Sequence, residues 1–441
     1  MVDEFHEARH VVILEHELER YMRPYVDSGD FSGAVLLAEG DTVLACAAYG
    51  QANYEHGIPC RSSTRFHIAS VSKPFTALAV VMLEQEGRLR RDDPIGRYLS
   101  KFPGGDWITL AHLLTHTSGI SDINQAPFYV ELSRSPQTPS ALATRIRGWL
   151  SKQTQLAAIG TYRYSNSNYN LLAAIIEVVA QEEYGAYLRN RLFLPAGMTS
   201  TLHDGNAAAL IPERAVGYIP SGRDGVQNAP FIDWSSKTGN GSLVSTVGDL
   251  HRFHCALASG ALVPPAVFDE ALAGGAGNRY GWFVRSTPRG RSLAANGRSP
   301  GFTASLERFA ERDRCVVVLS NRYSTVSHSP IAGDLVCILC SERVEAPDLP
   351  PPADSTGEWT RFAGTYLGGS EFFVPDAALR VDAAPDHLVL RWGDQTLPLV
   401  PLGGSAFRDR LFWGHVRFEQ GPAGTALIWT YDGREYRADQ T

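Results

Sequence analysis

At 441 residues, with 44% hydrophobic and 20% charged side chains, the chain has the composition of a globular protein large enough for two domains. A formal net charge of −7 and the lack of any basic cluster exclude a nucleic-acid groove. No apolar run reaches the roughly 18 residues that a membrane span needs. The N-terminal stretch MVDEFHEARHVVILEHELERYM is too acidic and polar for a secretory signal, so the chain reads as cytosolic with no membrane partner.

In chain order, residues 8–27 carry helical periodicity. FSGAVLLAEGDTVLACAAYG (31–50) reads as a hairpin about a Gly-Asp turn. A strongly apolar helix is expected from about Ser70 to Glu86, stopping at Gly87. The stretch 100–230 mixes short helices with turns, and one clear helix covers 168–184. Another should start at STVGDLHRF, where Thr246 and Asp249 fit a capping box. Strand-like runs follow in RYGWFVRS, GFTASLERF and CVVVLSN, then a helix over about 329–342. The proline-rich, acidic segment 346–358 reads as a linker between a catalytic domain (1–345) and an all-β domain (359–441), a small barrel or sandwich. Six cysteines, at 46, 60, 255, 315, 337 and 340, lie mostly in apolar runs and read as small buried hydrophobes. Cys337 and Cys340 form a CxxC with no second pair nearby, which reads as an apolar helix face rather than a metal or redox site. No metal or organic cofactor is implied.

The chemistry concentrates at HIASVSKPFTALAVV (67–81). Only four lysines occur, Lys73, Lys101, Lys152 and Lys237, every other basic side chain except histidine being arginine. Residues i and i+3 share a helix face, so Ser70 and Lys73 can meet. Serine needs a base to become a nucleophile. A lysine buried at a helix start is driven toward its neutral form and can be that base, whereas a guanidinium stays protonated. SxxK alone is a weak signal; its place at the head of an apolar helix strengthens it. Tyr164-Ser165-Asn166, just before a helix, adds a hydroxyl that can relay a proton if a nearby cation lowers its pKa, and an amide that can orient substrate.

With these motifs the chain resembles the serine β-lactamase and penicillin-binding-protein superfamily, in its class C β-lactamase, D-aminopeptidase and esterase branch. The resemblance rests on Ser70-Val71-Ser72-Lys73, on Tyr164-Ser165-Asn166, and on framing segments that include GRLRRDDPIGRYL, LAHLLTHTSGISD, GSLVSTVGDLHRF and SPGFTASLERF. It covers about residues 15–342. FAGTY (362–366) is similar to the lipocalin-like barrel some members carry. The resemblance implies an α+β fold: an antiparallel sheet flanked by helices, a helical subdomain, and a site between them. It implies Ser70 as nucleophile, Lys73 as its base, Tyr164 as proton carrier, Asn166 as substrate orienter and the Ser70 N–H as half of an oxyanion hole. Lys237-Thr238-Gly239 imitates the family's third motif, a cation-x-Gly. The spacing to Pro300-Gly301-Phe302 instead places that motif at Ala295-Asn296-Gly297, with the second oxyanion N–H at Arg298. Ala295 then stands where relatives carry a Lys or His that helps bind a carboxylate. This favours an ester, thioester or amide lacking a carboxylate at that point. The expected activity is that of an esterase or amidase, or of a transacylase or peptide cyclase such as natural-product pathways use, on a small-molecule or peptide acyl substrate. The alternatives are a D-aminopeptidase or D-amino-acid amidase with an acid in its pocket, a class C-like β-lactamase, and a non-catalytic scaffold. His112 and His116 read as structural, Asp92 and Asp93 as a turn, and Trp234, Tyr280 and Trp282 as core or pocket lining.

Overall fold

The computed structural model describes residues 2–153, 157–273, 277–327, 330–347, 358–393, 395–422 and 424–441; most of the expected linker 346–358 lies outside them. After helix α1 (Val2–Asp27) the chain forms the hairpin β1 (Gly33–Glu39) and β2 (Thr42–Tyr49). Helices α2 (Lys73–Gln85), α3 (Asn166–Ala180) and α4 (Val247–Ala258) follow, with shorter helices between them. Five more strands then complete an antiparallel sheet: β3 (Gly277–Arg279), β4 (Trp282–Thr287), β5 (Gly290–Ser299), β6 (Phe302–Phe309) and β7 (Arg314–Ser320). Their order is β3-β4-β5-β6-β7-β1-β2.

The sheet is covered on both faces, which is why β1 and β7 read as nearly unbroken apolar runs rather than as alternating ones. Val35, Leu37, Val316 and Val318 pack against α1 and the helix α5 (Pro330–Leu339), meeting Leu18, Met22, Ile331 and Leu335. The alternate residues Leu36, Val317 and Leu319 face the larger helical body, where Phe75 of α2 stacks on Phe253 of α4 at 4.0 Å. The C-terminal segment Gly364–Gln440 closes into an eight-stranded antiparallel barrel, which resolves the barrel-or-sandwich choice. Leu379, Leu390, Leu399, Phe407, Phe418 and Leu427 fill its interior.

The barrel docks on the first domain through a buried guanidinium. Arg410 bonds Asp30 at 3.0 Å and donates to the carbonyls of Gly225 and Gly29. Thr325 adds two bonds, to the carbonyls of Leu411 and Phe412. The loop that carries these carbonyls is shaped by buried Asp409, which accepts the N–H groups of Leu411, Phe412 and Gly414 and the indole N–H of Trp429.

Several local expectations need correction. The helix expected from Ser70 begins as a 3₁₀ turn (Ala69–Ser72), and α-helical geometry starts only at Lys73, where Pro74 sits in the first turn. Thr246 caps α4 by accepting the Asp249 N–H, but Asp249 does not close the box: its carboxylate accepts from Ser200 and Thr201. Only Cys60 and Cys315 are buried; Cys46 is exposed and the other three are half-buried, because outward strand and helix positions interrupt the apolar runs. Cys337 and Cys340 are free thiols that accept from Arg289 and Arg314.

Candidate functional site

Ala69, immediately before Ser70, has φ of 47°, a left-handed conformation that costs a residue with a side chain about 1 kcal/mol or more. The kink lifts Ser70 out of the core while leaving Lys73 at 1% exposure. The Lys73 Nζ lies 2.9 Å from each of three oxygens: Ser70 Oγ, Asn166 Oδ1 and the Asn240 carbonyl. Tyr164 OH is 2.9 Å from Ser70 Oγ. The Asn166 amide nitrogen donates to both oxygens of Asp122, at 3.1 and 3.3 Å, which fixes Oδ1 toward Lys73.

Burial holds the Lys73 pKa well below the usual lysine range; the Asp122 carboxylate works against burial and the Lys237 charge works with it. A neutral amine has two N–H groups and one lone pair. Asn166 Oδ1 and the Asn240 carbonyl can only accept, so they take both N–H groups. The lone pair is left facing Ser70, whose hydroxyl must donate to it. Burial also raises the Tyr164 pKa, with Ser70 opposing and Asp122 adding to it, so Tyr164 is a protonated donor to Ser70 Oγ, and the condition of a cation lowering its pKa is not met. The buried His116 ring stacks on Tyr164 at 4.5 Å and accepts the Ser165 N–H at 3.1 Å. Burial pushes its pKa down to about 3, and Lys73 would add to this whenever it carries a proton, so His116 holds the tyrosine as a neutral ring. His112 caps the helix Leu110–Leu114 and does not reach Ser70.

Strand β5 brings the remaining residues. A Cβ on Gly297 would stand 2.6 Å from the Ser70 nitrogen and 2.5 Å from the Ile68 carbonyl oxygen, so only glycine lets the strand approach this closely. Ser299 and Phe302 flank a two-residue turn. Bonded pairs alternate from there, so Asn296 and Arg298 point N–H and C=O away from β6. On that side β4 covers only Gly290–Ala294, so it does not pair with Arg298, the residue after the Gly297 that abuts the Ser70 nitrogen. The arrangement can deprotonate a serine and place two amides at a developing oxyanion.

These residues line a cleft of about 310 Å³, with Asn124, Lys237, Asn278, Phe283, Thr325 and, from the barrel, Tyr431 among its walls. Lys237-Thr238-Gly239 lies on no strand, Lys237 closing a short 3₁₀ turn (Trp234–Lys237), while Ala295 is a buried residue of β5. Yet the Lys237 side chain enters the cleft, a placement spacing could not show. Trp234, Tyr280 and Trp282 are not among the lining residues; Trp234 stacks on His67 at 3.7 Å. Their neighbours Gly281 and Phe283 line the cleft instead. Arg298 is caged: its guanidinium lies 4.3 Å from the Tyr323 ring and 4.7 Å from Phe412 of the barrel. Asp93 is a turn residue bonded to Tyr98 and Arg97. Among the described residues no group of three or more His, Cys, Asp or Glu could hold a metal ion.

A model of the Beta-lactamase family matches residues 18–336. Penicillin-binding protein 4* of Bacillus subtilis (strain 168) is 28% identical over 455 residues, covering 93% of this chain and 95% of that protein. The octameric penicillin-binding protein homologue from Pyrococcus abyssi superposes with a TM-score of 0.65 at 22% identity, over 96% of this chain and 99% of that one. The D-amino acid amidase from Ochrobactrum anthropi SV3 gives 0.65 at 23% identity, over 74% and 97%. At such identities the two structural likenesses speak for the fold.

Proposed function

This chain belongs to the beta-lactamase family of serine hydrolases, and from that premise we propose that it is a serine acyl enzyme whose intermediate forms on Ser70. The observation that carries the reading is the Lys73 amine, with both its N–H groups committed to acceptors and its lone pair left for the Ser70 hydroxyl 2.9 Å away. Ser70 Oγ attacks the carbonyl carbon of an ester, thioester or amide while Lys73 takes its proton. The N–H groups of Ser70 and Arg298 hold the oxyanion. On collapse Tyr164 gives its phenol proton to the leaving group, and the Lys73 ammonium, which holds the proton taken from Ser70, reprotonates the phenoxide. Water or a second nucleophile then releases the acyl group, giving an esterase or amidase in one case and a transacylase or peptide cyclase in the other. Asn166 and Asn296 hold the substrate carbonyl side.

The amidase alternative for D-amino acids calls for a carboxylate to meet the substrate ammonium. None of the described lining residues is Asp or Glu, which favours the first reading. Intact-protein mass after brief exposure to an activated ester, with Ser70→Ala alongside, tests it. A transient acyl adduct on the wild type alone is expected. Loss to an added amine in preference to water identifies a transacylase, and prompt loss to water a hydrolase. An adduct that persists on Ser70→Ala would refute the assignment.

A further inference from the structure

Two of the four lysines in the chain, Lys73 and Lys237, line the same cleft, while Lys101 and Lys152 are exposed. Lys73 is the base of the proposed mechanism; Lys237 has no part in it. The Lys237 stem runs beside the nucleophile turn: its Cδ lies 3.6 Å from where a Cβ on Gly241 would stand, as does the Ala69 carbonyl carbon. The side chain is 6% exposed. Its described partner is neutral, the Tyr129 hydroxyl at 2.9 Å, with the ammonium 5.6 Å from the same ring. A buried ammonium without a counter-charge is costly, and no described lining residue supplies one. The cleft holds a cation that none of its described lining residues neutralises, a place for an incoming anion. Its charge also opposes protonation of Lys73.

We propose that Lys237 is the specificity residue of the cleft, and that the acyl donor carries a carboxylate which docks on the Lys237 ammonium beside Tyr129 and Asn124. The inference rests on the acyl-enzyme reading. It relocates the anion site from β5, where Ala295 offers no charge, to the helical wall. The carboxylate belongs to the acyl part of the donor and stays on the enzyme after the leaving group departs.

Benzyl half-thioesters of glutaric, adipic and pimelic acid, each beside its ω-methyl ester, test this with thiol release as readout. In the wild type at least one acid should exceed its methyl ester in kcat/KM by about tenfold or more, as expected for a charge-assisted bond in a desolvated site. The preference should shrink as salt is raised. Lys237→Met should bring the ratio to about one, and Lys237→Arg should keep part of it. Circular dichroism checks that the variants fold, and the wild-type salt dependence and inhibition by free adipate need no variant. A wild-type ratio near one at every chain length overturns the proposal, as does a ratio that survives Lys237→Met or falls only in Arg298→Met. Wild type that turns over the methyl esters without favouring the acids leaves the acyl-enzyme reading standing and removes this one. Absence of an acyl adduct with every donor would remove both.

Discussion

Gly297→Ala isolates the contact between β5 and the nucleophile turn. The added methyl would meet the Ile68 oxygen at 2.5 Å, the Ser70 nitrogen at 2.6 Å and the Val71 nitrogen at 3.0 Å, all backbone atoms that no rotamer change can move. Gly297 does not sit at a positive φ, so alanine is locally permitted and the clash alone decides. Opening 2.6 Å to an ordinary contact of about 3.4 Å requires β5 to retreat by about 0.8 Å. That retreat takes the Arg298 N–H with it. Loss of one oxyanion donor costs about 10²- to 10³-fold in rate, about 3 kcal/mol, and the overpacking about 1–3 kcal/mol in stability. Rapid-quench measurement of acyl-Ser70 formation, with a denaturant melt, reads both. Gly148→Ala is the control: it sits in the helix Pro139–Leu150 with nothing within 4 Å of the new methyl, so acylation should hold and stability should rise by about 0.4–1 kcal/mol. If Gly297→Ala acylates at the wild-type rate, the pairing of the Ser70 and Arg298 amides as one oxyanion hole is wrong.

Asp122→Asn frees the Asn166 amide to turn and removes the charge that favours protonated Lys73. Its kcat should fall, and the acidic limb of kcat/KM should move to lower pH because Lys73 then stays neutral further down; a limb that moves up contradicts the base assignment. Tyr164→Phe should cost about 10²- to 10⁴-fold on amides and much less on esters with good leaving groups, as a leaving-group series will show; equal losses across the series would remove the proton route. Arg410→Met strands the Asp30 carboxylate, 7% exposed, at the junction of barrel and first domain. A destabilisation of about 3–5 kcal/mol is expected in urea, and an unchanged midpoint would show that the junction carries no such load.

Ser70 and Lys73 were legible because three residues along one turn is a local relation, and Tyr164 and Asn166 because they flank one helix start. The third motif could be read only by counting back from Pro300. What stayed hidden is long-range. The Asn240 carbonyl that accepts a Lys73 N–H is 167 residues away in sequence, and Asp122 orients Asn166 across 44. Neither carries a pattern, since any residue could offer the first and a lone Asp the second. His116 was read as structural because Lys73 already supplies a base, but its stacking on Tyr164 follows from a tertiary approach. Lys237 was set aside as a mimic of the third motif, and the backbone there does turn, but nothing in the sequence showed that its side chain would still reach the cleft. Arg298 was singled out for its amide, and nothing in the chain pattern showed that a barrel loop would cage its guanidinium.

The strand order has a consequence during synthesis. β1 is an inner strand whose partner β7 is made late: Gly33 pairs with Ser320. At about 5–20 residues per second, the hairpin β1–β2 leaves the ribosome about 15–60 s before the strand that covers its open edge. For that time a nascent chain displays unpaired β-edge groups, a template for wrong partners. It also carries Ser70, Lys73 and Tyr164 without the β5 amide that completes their surroundings. A chain stalled before residue 290 should therefore bind holdase chaperones and leave acyl probes untouched. Catalytic competence arrives only when the last strands slide into the gap kept for them.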